Sequence, residues 1–208
     1  MFENVLSKEA IEVADAISPF LKDFYLAGGT GLAIQLGHRV SMDLDFFSQT
    51  PFESETLLYK LSPDKIITAR EGTIHCDQKG IKLSFLFYRE PLAYPVILWK
   101  ELSVADWKDI TAEKFKAISQ RGSKRDFYDL YAVLKMKITV EEACEIFRKR
   151  FNLSGINKYH VLKSLVFFED AEVEPEPILH VKGRDWEWVS VKSYFEDNIK
   201  KFEKGLLL

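Results

Sequence analysis

The pattern of apolar and polar positions predicts alternating helices and short strands in the first half of the chain. Helical spacing of apolar residues follows Ser7, which can cap a first helix. Short strands are predicted for DFYLAGG and SMDLDFFS, and between them a helix for TGLAIQLG, with Thr30 as its N-cap. SETLLYKL reads as helix. KIITARE, TIHCDQ and GIKLSFLFY alternate as strands do, the last two joined by a turn at Lys79 and Gly80. This half is therefore expected to be α+β.

The second half has a different periodicity, which predicts a helical region. Gly122 closes the helix ITAEKFKAISQRG, and Ser123 opens the helix SKRDFYDLYAVLKM. Thr139 and Glu142 have the spacing of a capping box at the start of TVEEACEIFRKRF. Two further helices are predicted, for INKYHVLKSLVFFED and VSVKSYFEDNIKKFEK. Between them, the acidic, proline-bearing AEVEPEPILHVKGRDWEW is expected to be a surface loop.

Charge and composition narrow the class of protein. The 208 residues are 47% hydrophobic with a net charge of -3, so the chain as a whole is not a basic coat for nucleic acid. Its two cysteines, Cys76 and Cys144, fit neither a metal spacing nor a disulfide framework. The N-terminal segment lacks the features of a signal peptide, and no stretch approaches the ~20 apolar residues of a membrane span. We expect a cytoplasmic protein without membrane contact.

Two aspartates flank one apolar residue at the start of the second predicted strand. Alternate side chains of a strand share a face, so Asp43 and Asp45 are expected on one face and Leu44 in the core. Close carboxylates repel each other unless a cation lies between them. Mg²⁺, or Mn²⁺ in its place, is bound by one or two carboxylates together with substrate phosphates. The alternative is that both aspartates are solvated surface residues.

The glycines that precede this strand suggest a phosphate site. Gly28, Gly29 and Thr30 lie at a strand-to-helix turn, where backbone N–H groups and the positive end of the helix dipole can hold a phosphate. A β-carbon would block the approach of an oxyanion. Taken alone, Gly28 and Gly29 could be an ordinary tight turn. With the aspartates it predicts a triphosphate and its metal in one pocket.

The stretch GGTGLAIQLGHRVSMDLDFF resembles the signature of the DNA polymerase β-like nucleotidyltransferases. In detail it is similar to the AbiEii/AbiGii-type toxins, in which a Gly-Gly-Thr helix leads into an Arg-x-Ser-x-Asp-Leu-Asp-Phe strand. The matching positions here are Arg39, Ser41, Asp43, Leu44, Asp45 and Phe46. The resemblance implies a nucleotidyltransferase core of short mixed sheet and helices over residues 1–105, with a helical region over 106–208 packed against it.

A second block, EKFKAISQRGSKRDFYDLYAVL, resembles the later motif of the same family. Its matching residues are Lys114, Arg121, Gly122, Lys124, Asp126, Asp129, Leu130 and Tyr131. The resemblance implies catalytic roles for Asp43, Asp45, Lys114 and Asp126, of which the first two bind the metal. It implies nucleotide binding by Gly28, Gly29, Thr30, Arg39, Arg121, Lys124 and Asp129. We expect Lys114 and Asp126 at the rim of the pocket, where substitution changes stability little.

One position departs from the superfamily pattern. Polymerase β-like enzymes usually carry a third carboxylate on a neighbouring strand, and the corresponding position in IKLSFLFY holds Ser84. A serine neither binds Mg²⁺ strongly nor acts as a base near neutral pH. The resemblance leaves Asp126 as one candidate for the base.

The resemblance implies that the protein transfers a nucleoside monophosphate from an NTP to an acceptor hydroxyl of RNA or tRNA. It also implies that the protein is the toxin of a toxin–antitoxin or phage-defence system and has a cognate antitoxin. The alternatives are a catalytically impaired nucleotide- or RNA-binding module and a purely interacting partner of an antitoxin. We expect His38 to be a surface residue at a helix end. A basic stretch could contact an RNA backbone or form a solvated helix face; its residues are Lys108, Lys114, Lys116, Arg121, Lys124 and Arg125.

Overall fold

A computed structural model describes all 208 residues of the chain. The chain divides into two compact units. The first unit comprises residues 1–35 and 41–106, and the second comprises residues 36–40 and 107–208. None of the helices in either unit is both long enough and apolar enough to cross a lipid bilayer.

The first unit is built on a seven-stranded mixed sheet with the order β3-β4-β5-β2-β1-β7-β6. The pairs β2–β5 and β1–β7 are parallel, and the other neighbours are antiparallel. The strands are β1 Tyr25–Leu26, β2 Leu44–Ser48, β3 Lys65–Arg70, β4 Thr73–Gln78, β5 Ile81–Phe87, β6 Ile97–Trp99 and β7 Leu102–Val104. The helices are α1 Lys8–Ile17, α2 Gly28–Leu36 and α3 Ser54–Leu61.

Burial alternates along the central strands of this sheet. In β2, Leu44 and Phe46 are fully buried, whereas Asp45 and Phe47 are half-buried. The buried face continues across β5 and β4 and packs with the apolar side of α1, which contributes Ala10, Val13, Ala14 and Ile17. Because the core takes one face of the strands, the opposite face is left for polar side chains.

The second unit is helical and has an aromatic core. Phe127 contacts the rings of Phe168, Trp188 and Phe195, and Phe115 contacts those of Phe147 and Phe202. The helices are α4 Trp107–Arg121, α5 Lys124–Met136, α6 Val140–Arg150, α7 Lys158–Ser164, α8 Glu169–Glu172, α9 Trp188–Asp197 and α10 Ile199–Leu207.

Most of the predicted elements and their end signals are confirmed. Ser7 accepts a hydrogen bond from the backbone N–H of Ala10, and Thr139 and Glu142 form the predicted capping box. Gly122 ends α4 with a φ of 57°. The turn between β4 and β5 places both of its central residues, Lys79 and Gly80, at positive φ, as a tight hairpin turn requires.

The structure differs from the local predictions in three respects. The helix α2 begins at Gly28, so Thr30 lies inside it rather than capping it. The strands β6 and β7 were not foreseen, since three-residue strands carry too little pattern to detect. The last two predicted helices are each broken in two, giving α7 with α8 and α9 with α10. The acidic segment over residues 171–188 lies mostly at the surface, as predicted, and makes one isolated bridge from Leu179 to Arg39.

Candidate functional site

The backbone of Gly28 lies directly against the carboxylate of Asp45. A β-carbon at Gly28 would lie 2.8 Å from Oδ2 of Asp45, and the φ of Gly28 is +61°. The neighbouring N–H of Ala27 donates to the carbonyl of Asp45 at 3.0 Å. Glycine is therefore required on two counts, the backbone conformation and the close approach of the carboxylate. The start of α2 and the Asp45 side chain form one compact feature of the first unit.

Thr30 holds the chain that leads into β2. Its hydroxyl is buried, lies 2.6 Å from Oγ of Ser41 and donates to the carbonyl of Asp43. Asp43 is the residue immediately before β2, and Leu44 behind it is fully buried. The threonine thus fixes the backbone on which both aspartates are carried.

The donor set of Asp43 and Asp45 fits Mg²⁺. Both residues are half-buried, and nowhere in the chain do three or more His, Cys, Asp or Glu side chains gather as a self-sufficient metal site. Mg²⁺ is bound in this way, by one or two carboxylates whose remaining partners are water and substrate phosphates. In the parallel pair of β2 and β5, Ser84 is the register partner of Asp45. No carboxylate stands at this position.

A second cluster, within the second unit, is organised around two buried carboxylates on α5. Asp129 accepts hydrogen bonds from Nε2 of His38 at 2.7 Å and from Nε and a terminal nitrogen of Arg39 at 2.6 and 2.9 Å. The oxygen that accepts from this terminal nitrogen, Oδ2, also lies 2.6 Å from Nζ of Lys114. Asp126 accepts from Lys114 at 2.7 Å and from Arg121 at 2.7 and 3.0 Å. We call these six residues the α5 ion cluster.

The cations of the α5 ion cluster outweigh the effect of burial on its carboxylates. Burial alone would raise the pKa of Asp129, but Arg39 and Lys114 hold that pKa well below its usual range. For Asp126, burial is likewise outweighed by Lys114 and Arg121, and its pKa is lowered. Burial opposes the charge of Lys114, yet the two carboxylates raise its pKa. All three groups are therefore charged at neutral pH.

His38 is buried, which overturns its expected position on the surface. Its exposed fraction is 0%, and burial lowers the pKa of its imidazole despite the hydrogen bond to Asp129. A neutral ring that donates from Nε2 to a carboxylate leaves Nδ1 as an acceptor, and Nδ1 has no hydrogen-bond partner. The sequence predicted an exposed His38 because polar residues at the end of a helix are usually exposed.

Lys114 and Asp126 are enclosed, so their expected position at an exposed rim was wrong, and with it the reason for expecting little loss of stability on substitution. Their exposed fractions are 4% and 1%, whereas the side chain of Arg121 is 65% exposed. Lys124 is also buried, with its Nζ 2.7 Å from the carbonyl of Glu174. The basic stretch of α4 and α5 is therefore not one continuous solvated face.

The geometry and the comparisons with known proteins define the class. A mixed sheet that presents two aspartates beside a glycine-initiated helix, in a chain with a second helical unit, is an α+β arrangement. The family model described as nucleotidyl transferase AbiEii toxin, type IV toxin–antitoxin system, matches residues 13–85 and 73–202. The chain belongs to this family and is a nucleotidyltransferase.

Individual relatives agree with the family match. An uncharacterized protein of Aquifex aeolicus (strain VF5) is 36% identical over 203 residues, covering 94% of this chain and 95% of its own. Among solved structures, MenT4, a nucleotidyltransferase toxin from Mycobacterium tuberculosis H37Rv, has a TM-score of 0.58 and 18% identity, covering 95% of this chain and 90% of its own. A protein from H. pylori assigned as a nucleotidyltransferase has a TM-score of 0.53 at 18% identity, with 95% and 98% covered. Both structures show the same fold.

The close approach of Gly28 to Asp45 generates a first prediction. Gly28→Ala introduces both the strain of a positive φ, roughly 1–2 kcal/mol, and a clash with a carboxylate oxygen. Gly80→Ala is the matched control, since its φ of +77° is equally unfavourable but nothing lies within 4 Å of its β-carbon. Urea unfolding should show a larger loss for Gly28→Ala. Equal losses in the two variants would contradict the proposed contact with Asp45.

The α5 ion cluster generates a second prediction, on stability. Asp129→Asn leaves buried cations undercompensated and should lower the free energy of unfolding at pH 7 by about 3–5 kcal/mol. Glu12→Gln, which removes an exposed ion pair with Lys79, should change it by at most about 1 kcal/mol.

The same variant has a defined pH dependence. Because the folded pKa of Asp129 is depressed, its stabilisation is complete above the unfolded value of about 3.9 and is lost as the pH falls through the folded pKa. The difference between wild type and Asp129→Asn should therefore be constant near neutrality and shrink below about pH 4. A difference that does not change down to pH 2 would be inconsistent with a compensated carboxylate.

Proposed function

We propose that this protein transfers a nucleoside monophosphate from an NTP to a hydroxyl of RNA, with tRNA as the leading acceptor, in a Mg²⁺-dependent reaction. It acts in the cytoplasm as the toxin of a toxin–antitoxin pair. The observation that carries the proposal is the contact between the start of α2 and the carboxylate of Asp45. This contact joins an anion-binding helix terminus to a cation-binding carboxylate.

The first unit supplies the nucleotide site in this proposal. The N–H groups in the first turn of α2, at Gly28, Gly29 and Thr30, have no acceptor further back in the helix and carry the positive end of its dipole. They bind phosphate oxygens of the NTP. Asp43 and Asp45 would hold Mg²⁺ or Mn²⁺, which would supply positive charge to neutralise the phosphates. Thr30 keeps the two carboxylates in place through the carbonyl of Asp43.

The second unit supplies fixed positive charge. Asp126 and Asp129 hold Lys114 rigidly, so its charge needs no reorganisation during the reaction. Arg121 is anchored by two hydrogen bonds to Asp126 yet keeps most of its side chain exposed. From the family resemblance we assign Arg121 to nucleotide binding and Lys114 to catalysis. Arg39, Lys124 and Asp129 support nucleotide binding by holding this framework, since each is buried and engaged.

The RNA acceptor is proposed from surface charge, and the antitoxin partner is proposed from the description of the family. Exposed Arg121 and Arg125 provide positive charge near the start of α5, which suits the backbone of an RNA read without sequence preference. The type IV toxin–antitoxin description of the family implies a cognate antitoxin. The free, buried thiols of Cys76 and Cys144 are compatible with a reducing cytoplasm.

The central prediction concerns Asp43. Purified protein incubated with Mg²⁺, each labelled NTP in turn and total RNA should transfer label to RNA. Asp43→Asn should reduce this transfer by on the order of 10³-fold or more, because the charge of the transferring phosphoryl group is no longer neutralised. Asp23→Asn, at an exposed position of the same unit, is the control and should retain full activity. Undiminished transfer by Asp43→Asn would remove the basis of the proposal.

A further prediction distinguishes the effect of the Arg121 charge on nucleotidyl transfer from its effect on folding. Arg121→Ala should slow transfer roughly 10- to 150-fold, which corresponds to the loss of one charge-assisted interaction of about 1.5–3 kcal/mol. Asp126 keeps its hydrogen bond to Lys114 in this variant, so the free energy of unfolding should fall by less than in Asp129→Asn. Lys137→Ala removes an exposed cation at the other end of α5 and should leave the rate unchanged. Equal rates for the two variants would exclude Arg121 from phosphate binding.

Ser84 favours one other function, that of a nucleotide- or RNA-binding module without catalysis. Its hydroxyl occupies the register position beside Asp45 where the superfamily usually has its third carboxylate. The two functions are distinguished by the same assay. A module of this kind would bind labelled NTP in the presence of Mg²⁺ but transfer no label to any RNA.

A further inference from the structure

Strand register aligns three polar side chains in one row across the sheet of the first unit. Asp45 of β2 is opposite Ser84 of β5, and Ser84 is opposite His75 of β4. Residues paired in register share a face, so the three side chains follow one another on the same side of the sheet. All three are half-buried, whereas the neighbours Leu83 and Cys76 point into the core. We call Asp45, Ser84 and His75 the polar row.

Ser84, the middle member of the polar row, is hydrogen-bonded to His75. Nδ1 of His75 lies 3.2 Å from Oγ of Ser84. In a neutral imidazole with its proton on Nε2, Nδ1 is an acceptor and the serine O–H is the donor. The oxygen of Ser84 then keeps its lone pairs for another donor. A serine that cannot act as a base alone can pass a proton on to a histidine.

The charged groups around His75 do not replace Ser84 as its partner. Both residues directly opposite His75 carry hydroxyl groups, Ser84 on β5 and Thr68 on β3. The charged residues lie at the adjacent register positions, namely Asp77 on β4, Lys82 on β5, and Lys65 and Arg70 on β3.

The reaction requires a proton acceptor that the α5 ion cluster supplies poorly. The oxygens of Asp126 already accept hydrogen bonds from Lys114 and Arg121, and its pKa is lowered. A carboxylate in this environment holds a proton weakly. Asp43 and Asp45 are assigned to the metal. Ser84, the register partner of Asp45, is hydrogen-bonded to a histidine that can take up a proton.

We propose that Ser84 and His75 form a proton relay for the acceptor hydroxyl, an inference that rests on the proposed function. As the acceptor oxygen bonds to the α-phosphorus of the NTP, the bond from that phosphorus to the pyrophosphate oxygen breaks, and pyrophosphate leaves with the electron pair. The proton of the acceptor hydroxyl moves to Oγ of Ser84 while the serine proton moves to Nδ1 of His75. The resulting imidazolium returns its proton to water after the products leave.

The variants that test the relay separate proton transfer from structural support. Ser84→Ala and His75→Ala should each lower kcat for transfer from labelled NTP to total RNA by about 10²-fold or more, with the KM for NTP unchanged. His75→Gln can still hydrogen-bond Ser84 but cannot accept a proton, so it should be as slow as His75→Ala. Thr73→Val, on the same strand and face, is the control and should keep the wild-type kcat.

A carboxylate introduced at Ser84 gives an independent test. Ser84→Asp places a proton acceptor directly beside Asp45, so adding His75→Ala in that background should change kcat by less than about 3-fold. Wild-type kcat in His75→Gln would overturn the relay and leave His75 a structural partner. A full loss on adding His75→Ala to Ser84→Asp would also overturn it. If Ser84→Asp does not fold, the comparison of His75→Gln with wild type decides.

Failure of this inference differs from failure of the proposed function. If the wild type transfers no label, the proposed function is wrong and the relay is wrong with it. If the wild type transfers label, Asp43→Asn does not and His75→Gln does at the full rate, the relay alone is wrong.

Discussion

The second unit depends on the neutralisation of one buried carboxylate, that of Asp129. A charge removed from water is strongly unfavourable unless it is paired and hydrogen-bonded. Asp129 meets this condition through Arg39, His38 and Lys114, which are brought to it from residues 36–40 and from α4. These interactions explain why a five-residue segment between α2 and β2 belongs to the helical unit rather than to the sheet.

The first unit follows a different principle, the placement of half-buried carboxylates at the start of the central strand of a packed sheet. Leu44 and Phe46 anchor β2 in the core, and strict alternation turns Asp45 to the other face. Gly28 allows the start of α2 to approach Asp45 because it has no β-carbon, and Thr30 fixes the backbone at Asp43. The packing of these apolar residues thus determines where the carboxylates of Asp43 and Asp45 lie.

The aspartates of the chain consequently divide into two chemical types. Asp126 and Asp129 are enclosed and saturated by cations, so they are suited to holding lysine and arginine in place rather than to taking up protons. Asp43 and Asp45 are half-buried on the sheet and suited to binding a cation. Neither pair is an obvious base, and for this reason the hydrogen-bonded Ser84 and His75 become relevant to the chemistry.

The sequence by itself determined the local elements and the family. Caps at Ser7 and Thr139, the turn at Lys79 and Gly80, and the two-residue alternation of β2 all depend on near neighbours, and all are confirmed. The two motifs identified the nucleotidyltransferase family, which the family match confirms. Only the tertiary structure decided that β7 pairs with β1, that His38 and Lys114 are buried, and that His75 meets Ser84. These features depend on partners distant in the sequence, and pairing across that distance is set by packing and charge neutralisation rather than by local pattern.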